Sequence, residues 1–191
     1  MSFLKVGIAG THSTGKTTFV ELLEDWLAKM DYRVIRVNDL AKDARDIGFP
    51  ILRDHTFSST LWIMSRCITL ELEASLNADI VLVDRPVPDA LGYLFAALES
   101  RNETLSHTEH CYLIDLVKHH SKTYNVIFKT VLDSSMPIGT NKPRDHDPEF
   151  RFLASSGIDK VFSELEIPFL PLGIDTDVAF LSFRNHLNHL H

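Results

Sequence analysis

The sequence predicts an α/β fold, a three-layer sandwich in which helices cover both faces of a five-stranded parallel sheet. Short apolar runs alternate along the chain with longer segments of helical spacing, which is typical of parallel α/β sheets. One run, Ile80-Val81-Leu82-Val83, is unbroken, as strands buried on both faces require. A Gly-rich turn at residues 10–17 joins the first apolar run to the first helical segment. These observations indicate that the 191 residues form a single domain, 1–191.

The first elements follow from the pattern in order. A strand over 3–9 precedes the Gly-rich turn, and apolar residues from Phe19 to Met30 then recur at helical spacing. A second strand is predicted at 33–37. A short helix follows within 39–50, because the pattern begins helically and stops at the Gly-Phe-Pro sequence that ends this range.

The remaining elements are predicted from caps and periodicity. Thr56 suits the N-cap of a long helix that runs to about Leu76, and Ser106 with Glu109 has the spacing of a capping box. Residues 133–147 are rich in Asp and Pro and indicate a loop. The other predicted elements are helices over 88–100, 106–120 and 147–165, strands over 80–83, 126–132 and 168–172, and a C-terminal helix from about Asp177.

The turn at residues 10–17 reads Gly-Thr-His-Ser-Thr-Gly-Lys-Thr, a complete match to the phosphate-binding pattern G-x-x-x-x-G-K-[ST]. Gly10 and Gly15 let backbone N–H groups approach phosphate oxygens, and the start of the next helix adds further N–H groups. Lys16 is expected to reach the β- and γ-phosphates, and the Thr17 hydroxyl is expected on Mg²⁺. The expected nucleotide-binding residues are Gly10, Thr11, His12, Ser13, Thr14, Gly15, Lys16, Thr17 and Thr18.

Composition limits the other functions. The net charge of −7 argues against general nucleic-acid binding. Cys67 and Cys111 are expected to be reduced core thiols, and no signal peptide or membrane-spanning run is visible, so a cytoplasmic protein is predicted. The ten histidines lack Cys or carboxylate partners at zinc-site spacing, so we expect no structural metal. His12 is expected to point at solvent or substrate.

Asp84 is the second strong signal, because it is the first polar residue after the most apolar strand. Ligands of open α/β sheets bind outside the carboxyl ends of strands, where this carboxylate could hold Mg²⁺ or accept a proton from a hydroxyl. A turn or capping role is the alternative. Arg85 suits a phosphate or substrate hydroxyl, or a structural ion pair. Asp89 is either a substrate contact or a stabiliser of the next helix.

The loop sequence GTHSTGKTT together with DRPVPDALGYL resembles the P-loop nucleoside and nucleotide kinases. It looks most similar to the nicotinamide-riboside-kinase-like ATPase domain of the bifunctional bacterial NAD-biosynthesis regulator. The resemblance implies that Asp84 and Arg85 form the acidic-Arg pair that acts on the metal or the acceptor. It also implies ATP and Mg²⁺ as cofactors. Related kinases are often dimers, so a homodimer is an expectation of the resemblance alone.

The family also carries an arginine-bearing lid, which we expect around residues 133–152. Arg144 and Arg151 are its predicted catalytic arginines, with Lys142 nearby, because phosphoryl transfer needs positive charge and exclusion of water. An ordinary solvated loop is the alternative. Candidate residues for acceptor recognition are Asp39, Arg45, Arg53, Trp62 and Arg66. Trp62 could instead be a core residue, and Arg66 could extend along the surface.

The sequence therefore predicts an ATP-dependent kinase that transfers the γ-phosphoryl group to a small nucleoside-like or nucleotide acceptor. The clear carboxylate, Asp84, and the uncertain arginine cluster favour a hydroxyl acceptor. The alternative is a P-loop ATPase or nucleotide-operated switch that acts on a protein or nucleic-acid partner. The acidic-Arg pair and the polar lid segment favour the kinase, because a switch would require neither.

Overall fold

The computed structural model describes residues 3–130, 147–173 and 176–188. Its strands are β1 (Leu4–Ala9), β2 (Val34–Val37), β3 (Ile80–Asp84), β4 (Val126–Thr130) and β5 (Leu170–Leu172). Its α-helices are α1 (Lys16–Ala28), α2 (Ala41–Asp46), α3 (Phe57–Ser75), α4 (Val87–Arg101), α5 (His107–His120), α6 (Pro148–Glu164) and α7 (Thr176–Asn188). The strands form one sheet in the order β2-β3-β1-β4-β5, and every pair is parallel. The predicted five-stranded α/β fold is confirmed.

The register of the sheet brings the two sequence signals together. β1 lies beside β3, with Ile8 opposite Asp84, so the end of β1 that leads into the Gly-rich turn is next to the end of β3. β4 flanks β1 on the other side. Because the carboxyl ends of parallel strands meet at one edge, residues that follow β1, β2 and β3 all reach the same crevice.

Two apolar layers cover the sheet, as a three-layer sandwich requires. On one face, α1 and α7 bury residues such as Phe19 and Phe183 against Ile8, Leu82 and Phe128 of the strands. The opposite face is covered by α3, α4, α5 and α6. All four residues of the predicted central strand, 80–83, are fully buried, which explains why that run contains no polar residue.

The helix α6 is packed unusually close to α4. A Cβ atom added to Gly157 would lie 2.3 Å from the Gly92 carbonyl oxygen, and one added to Gly92 would lie 2.5 Å from the Ile158 side chain. Two glycines therefore allow the two helix backbones to touch. The contact fixes the body of α6 against α4 and thereby positions its first turn near the crevice.

Several predicted boundaries and caps agree with the structure. Thr56 caps α3 and Ser106 forms the capping box with Glu109. Cys67 is buried, but Cys111 is only half-buried, so the expectation of two core thiols is wrong for Cys111. The predicted lid falls mostly on residues outside the described ranges, and Arg144 lies among them. No helix in the described ranges is long and apolar enough to cross a membrane.

Candidate functional site

The Gly-rich turn has the backbone shape of a phosphate cradle. Gly10 has φ 132° and Gly15 has φ 84°, and Ser13 also adopts positive φ, at 57°. A Cβ atom at Gly10 would lie 1.9 Å from the Thr130 hydroxyl oxygen, so this position admits only glycine. Gly15 is the residue from which α1 begins, and the first N–H groups of that helix face the turn. The loop is therefore built as a helix N-terminus that accepts anions.

Lys16 is held inside this loop. Its Nζ atom donates a hydrogen bond to the Thr11 carbonyl oxygen, and the residue is only 5% exposed. Burial, together with the nearby positive charge of Arg85, lowers the Lys16 pKa to about 7, against the opposing effect of three carboxylates. A phosphate ligand would place negative charge directly on this ammonium group, whose hydrogen-bond partner in the loop is a carbonyl dipole.

Asp89 anchors the start of the loop from α4. Its carboxylate accepts the Gly10 N–H at 3.0 and 3.2 Å, and it is 1% exposed. Burial raises the Asp89 pKa to about 7, although Lys16 and Arg85 oppose the shift. Support of the loop backbone is a role that the sequence did not predict for Asp89. The side chain also lines the crevice, so a substrate contact stays a prediction.

Two further side chains hold the loop from outside. The Tyr93 hydroxyl oxygen accepts the His12 N–H at 3.0 Å and lies 3.0 Å from the His12 ring Nδ1 atom. Arg151 donates from Nε to the His12 carbonyl at 3.2 Å and from Nη2 to the Ser13 carbonyl at 2.8 Å. His12 is 4% exposed and therefore does not point at bulk solvent, but it lines the cavity, so the expected contact with a substrate stays a prediction.

Arg151 therefore lies in a different environment from the predicted lid. It belongs to the first turns of α6, is 5% exposed, and its guanidinium contacts loop carbonyl oxygens. Its assignment as a catalytic arginine stays a prediction, as does that of Arg144. The observed contacts describe a residue that shapes the phosphate loop.

Asp84 ends β3 inside the crevice, where the sequence predicted it. The side chain is 6% exposed, and Arg36 of β2 donates from Nη2 to its Oδ2 atom at 3.1 Å. The Nε atom of Arg36 is buried and has no hydrogen-bond partner among the described residues. Arg36 was not predicted, because a single arginine in a short strand gives no sequence signal. Its pairing places a guanidinium group directly on the predicted metal ligand.

Arg85 forms a second ion pair beside the first. It has φ 72°, its Nε lies 2.6 Å from Asp39 Oδ2, and its guanidinium carbon stands 4.9 Å from the centre of the Tyr93 ring. Burial would raise the pKa of Asp39, but the Arg85 charge and the N–H of Ala41 hold it below its usual value. Arg85 thus forms an ion pair, which was one of the two roles predicted for it. Arg85 and Asp39 both also line the crevice.

One cavity of about 800 Å³ joins these groups. Its lining includes residues 12–18 of the loop and, among the predicted site residues, Asp39, Arg45, Asp84, Arg85 and Asp89. Three other acceptor candidates lie elsewhere. Trp62 packs on Phe49 at 5.7 Å between ring centres, Arg66 is exposed on α3, and Arg53 forms ion pairs at the start of α6. These three side chains do not line this cavity, and an acceptor contact for them stays a prediction.

His55 lines the cavity and was missed by the sequence analysis. It is 4% exposed, and its Nδ1 atom lies 3.0 Å from the Leu52 carbonyl oxygen. Burial, opposed by the Leu52 carbonyl, lowers the His55 pKa to about 4. The ring is therefore neutral near pH 7, and Nδ1 must carry the proton that the carbonyl accepts. Its position is fixed by a loop turn, which sequence patterns do not reveal.

The residues present fit a magnesium-bound nucleoside triphosphate. The positive-φ glycines, the buried Lys16 and the N–H groups at the start of α1 suit the phosphates, and Thr17 and Asp84 offer oxygen ligands for a hard cation. Within the described ranges, His, Cys, Asp and Glu side chains form no group of three that could hold a metal by themselves. A cation here would therefore depend on phosphate oxygens, as Mg²⁺ usually does.

Several solved structures share the fold of this chain. Deoxyadenosine kinase from M. mycoides with bound dATP has a TM-score of 0.67 at 14% identity, covering 97% of this chain and 99% of that one. The same enzyme with its products dCMP and a flexible dCDP gives 0.66, and with bound dCTP 0.63, with 97% and 100% of the two chains covered. The chain therefore has the α/β P-loop fold of the nucleotide kinases.

The sequence itself identifies the family. Residues 5–179 match the AAA domain family, and the chain belongs to it. No curated protein is similar enough in sequence to count as a relative. The closer likeness to the nicotinamide-riboside-kinase-like domain stays a prediction.

Proposed function

We propose that this protein is an ATP-dependent kinase that transfers the γ-phosphoryl group to a small nucleoside-like or nucleotide acceptor. The observation that carries the proposal is the single cavity in which a phosphate loop faces two carboxylate–arginine pairs, Arg36–Asp84 and Arg85–Asp39. A phosphate loop alone serves any nucleotide-binding protein. A wall of paired charges opposite the loop is what a second, polar substrate requires. The fold shared with a deoxyadenosine kinase supports the same class.

We assign the chain's residues as follows. Mg²⁺-ATP supplies the phosphoryl group and the charge neutralisation when bound. The loop backbone and Lys16 hold its phosphates, and Thr17 with Asp84 offers oxygens to the metal. Asp39, whose side chain is 39% exposed against 6% for Asp84, is the carboxylate more open to an acceptor. Arg85 orients Asp39 and keeps it ionised.

The charges of the cavity bear on the kind of acceptor. A hydroxyl acceptor must lose a proton, and Asp39 is a weak base because Arg85 lowers its pKa. A phosphate acceptor needs cations instead, and the lining includes Arg36, Lys42 and Arg45 on the β2–α2 side. These cations support a nucleotide acceptor. The sequence, in contrast, favoured a hydroxyl acceptor, and that stays a prediction.

The test is ADP release from Mg²⁺-ATP, with and without a panel of nucleosides, nicotinamide riboside and nucleoside monophosphates. We expect one compound to stimulate release, with a product heavier by one phosphoryl group in the mass spectrum. Lys16→Ala is the inactive control. The family description names no acceptor, so a partner-driven ATPase or switch is the competing function. ADP release that every compound of the panel leaves unchanged would favour that function and contradict the kinase.

A further inference from the structure

The acceptor side of the cavity includes the short segment between α2 and α3, residues 49–56, which we call the acceptor wall. Ile51, Leu52 and His55 of this wall line the cavity. Leu52 has φ 59°, a conformation that non-glycine residues adopt only when neighbours hold them there. The wall therefore depends on contacts from outside its own backbone.

Two arginines provide these contacts from different helices. Arg101, the last residue of α4, donates to the carbonyl oxygens of Arg53 and His55, the latter at 2.9 Å. Arg53 itself reaches α6, where its Nε contacts the Asp147 carboxylate and its Nη2 lies 2.9 Å from Glu149 Oε2. The Arg53 guanidinium carbon also stands 5.5 Å from the centre of the Phe150 ring. The wall is thus attached to the end of α4 and to the start of α6.

The start of α6 is also attached to the phosphate loop. Arg151 donates to the carbonyl oxygens of His12 and Ser13, and the Arg151 carbonyl accepts the Thr11 hydroxyl at 3.5 Å. The Arg151 N–H donates to the Asp147 carbonyl at 3.0 Å, and Asp147 caps the helix through the Phe150 N–H, also at 3.0 Å. One helical turn therefore holds both halves of the cavity.

We propose that Arg53 is a positioning residue that links the acceptor wall to the phosphate loop through the first turn of α6. This inference rests on the proposed function, because it concerns how the two substrate sides are aligned. Arg151 holds the carbonyl groups of the same loop whose N–H groups would bind the nucleotide phosphates. Nucleotide binding should therefore order the first turn of α6, which also holds Arg53. The wall then becomes better fixed when nucleotide is present, before any acceptor binds.

The test is hydrogen exchange of the full chain with and without ADP and Mg²⁺. In the wild type we expect ADP and Mg²⁺ to slow exchange in peptides covering the loop, 9–18. Peptides covering the wall should exchange about fivefold more slowly with ADP and Mg²⁺ than without them. Arg53→Ala should retain loop protection and lose the nucleotide-dependent protection of the wall. Arg53→Lys keeps the positive charge but replaces the two separate donor nitrogens, Nε and Nη2, by one ammonium group, so its wall protection should be intermediate.

Arg101→Ala is the matched control, because the hydrogen bonds and ion pair described for Arg101 reach the wall and Glu103 but no residue of α6. Its wall should exchange faster overall yet still respond to ADP. Loop protection without wall protection in the wild type, or an equal wall response in Arg53→Ala, would overturn this inference alone. No loop protection in any variant would overturn the proposed nucleotide binding and this inference with it. Once an acceptor is known, Arg53→Ala should raise its KM severalfold and leave the KM for ATP within about twofold.

Discussion

Glu71 of α3 is the centre of a buried polar cluster at the opposite end of the sheet from the cavity. It is 1% exposed and accepts hydrogen bonds from Lys5 Nζ at 2.7 Å, from Cys67 Sγ at 3.4 Å and from the Tyr124 hydroxyl, with His120 Nε2 at 2.6 Å. Lys5 is itself 4% exposed. The cluster ties α3 to β1 and to the segment before β4.

We predict that Glu71→Gln lowers stability by about 3–5 kcal/mol, because removing one partner of a buried ion pair leaves the other charge uncompensated. The amide would also turn an N–H₂ group toward donors, where the carboxylate now accepts. At roughly 2–4 °C per kcal/mol for a domain of this size, the midpoint of thermal unfolding should fall by about 6–20 °C. That loss is a large share of a typical domain stability of about 5–15 kcal/mol.

The assay is thermal and urea unfolding followed by circular dichroism, with Glu73→Gln as the matched control. Glu73 lies on the same helix, is exposed and makes no ion pair among the described residues, so its change should cost no more than about 0.5 kcal/mol. Equal unfolding midpoints for the two variants would refute the reasoning. ADP affinity of the folded Glu71→Gln protein should match the wild type, because the cluster is far along the strands from the loop.

The pH dependence of this effect has a definite sign. Burial alone would raise the Glu71 pKa, but the contacts with His120, Lys5 and Tyr124 lower it below the ordinary value of 4.5. A lowered pKa means that the stabilisation is present above the unfolded-state pKa and is lost as pH falls through the folded-state pKa. The stability difference between wild type and Glu71→Gln should therefore shrink below about pH 4.

Four further predictions concern the cavity. Lys16→Ala should weaken ATP binding by at least tenfold, since a charge-assisted contact contributes about 1.5–3 kcal/mol, and titration calorimetry measures this. Asp84→Asn should lower turnover by about 10²-fold or more with a smaller effect on ATP affinity; near-normal turnover would make Asp84 structural. Gly10→Ala should cost about 1–3 kcal/mol, seen in thermal unfolding, because its Cβ meets Thr130. Arg151→Ala should weaken ADP binding severalfold in the same calorimetry, because the loop carbonyls lose their donor; unchanged affinity would contradict this role.

The sequence predicted those parts of the molecule that local patterns determine. The phosphate loop, the capping box at Ser106 and the buried run 80–83 are each encoded by neighbouring residues, and all are found in the structure. The parallel sheet followed from the alternation of elements. Boundaries were less accurate, as for β5, which begins at Leu170 rather than at 168.

The contacts across the cavity could not be predicted, because they join residues far apart in the chain. Arg36 reaches Asp84 across 48 positions, and Arg151 reaches His12 across 139. Arg53 illustrates the limit, since its charge suggested contact with an acceptor but did not reveal that its partners are the carboxylates of Asp147 and Glu149. A pattern identifies the chemistry that a residue offers, whereas the fold determines which partner uses it.

The paired state of the cavity charges has a consequence for binding. Asp84 is paired with Arg36, Asp39 with Arg85, and Lys16 with a loop carbonyl, so these three groups have partners within the protein. Buried charges are costly without partners, and these contacts supply partners within the protein. A ligand that binds these groups must therefore replace the contacts that it displaces. A ligand that lacks phosphate or metal cannot replace the contacts of Lys16 and Asp84. An uncharged nucleoside should therefore not bind beside the phosphate loop, and we expect it to bind only at the acceptor wall.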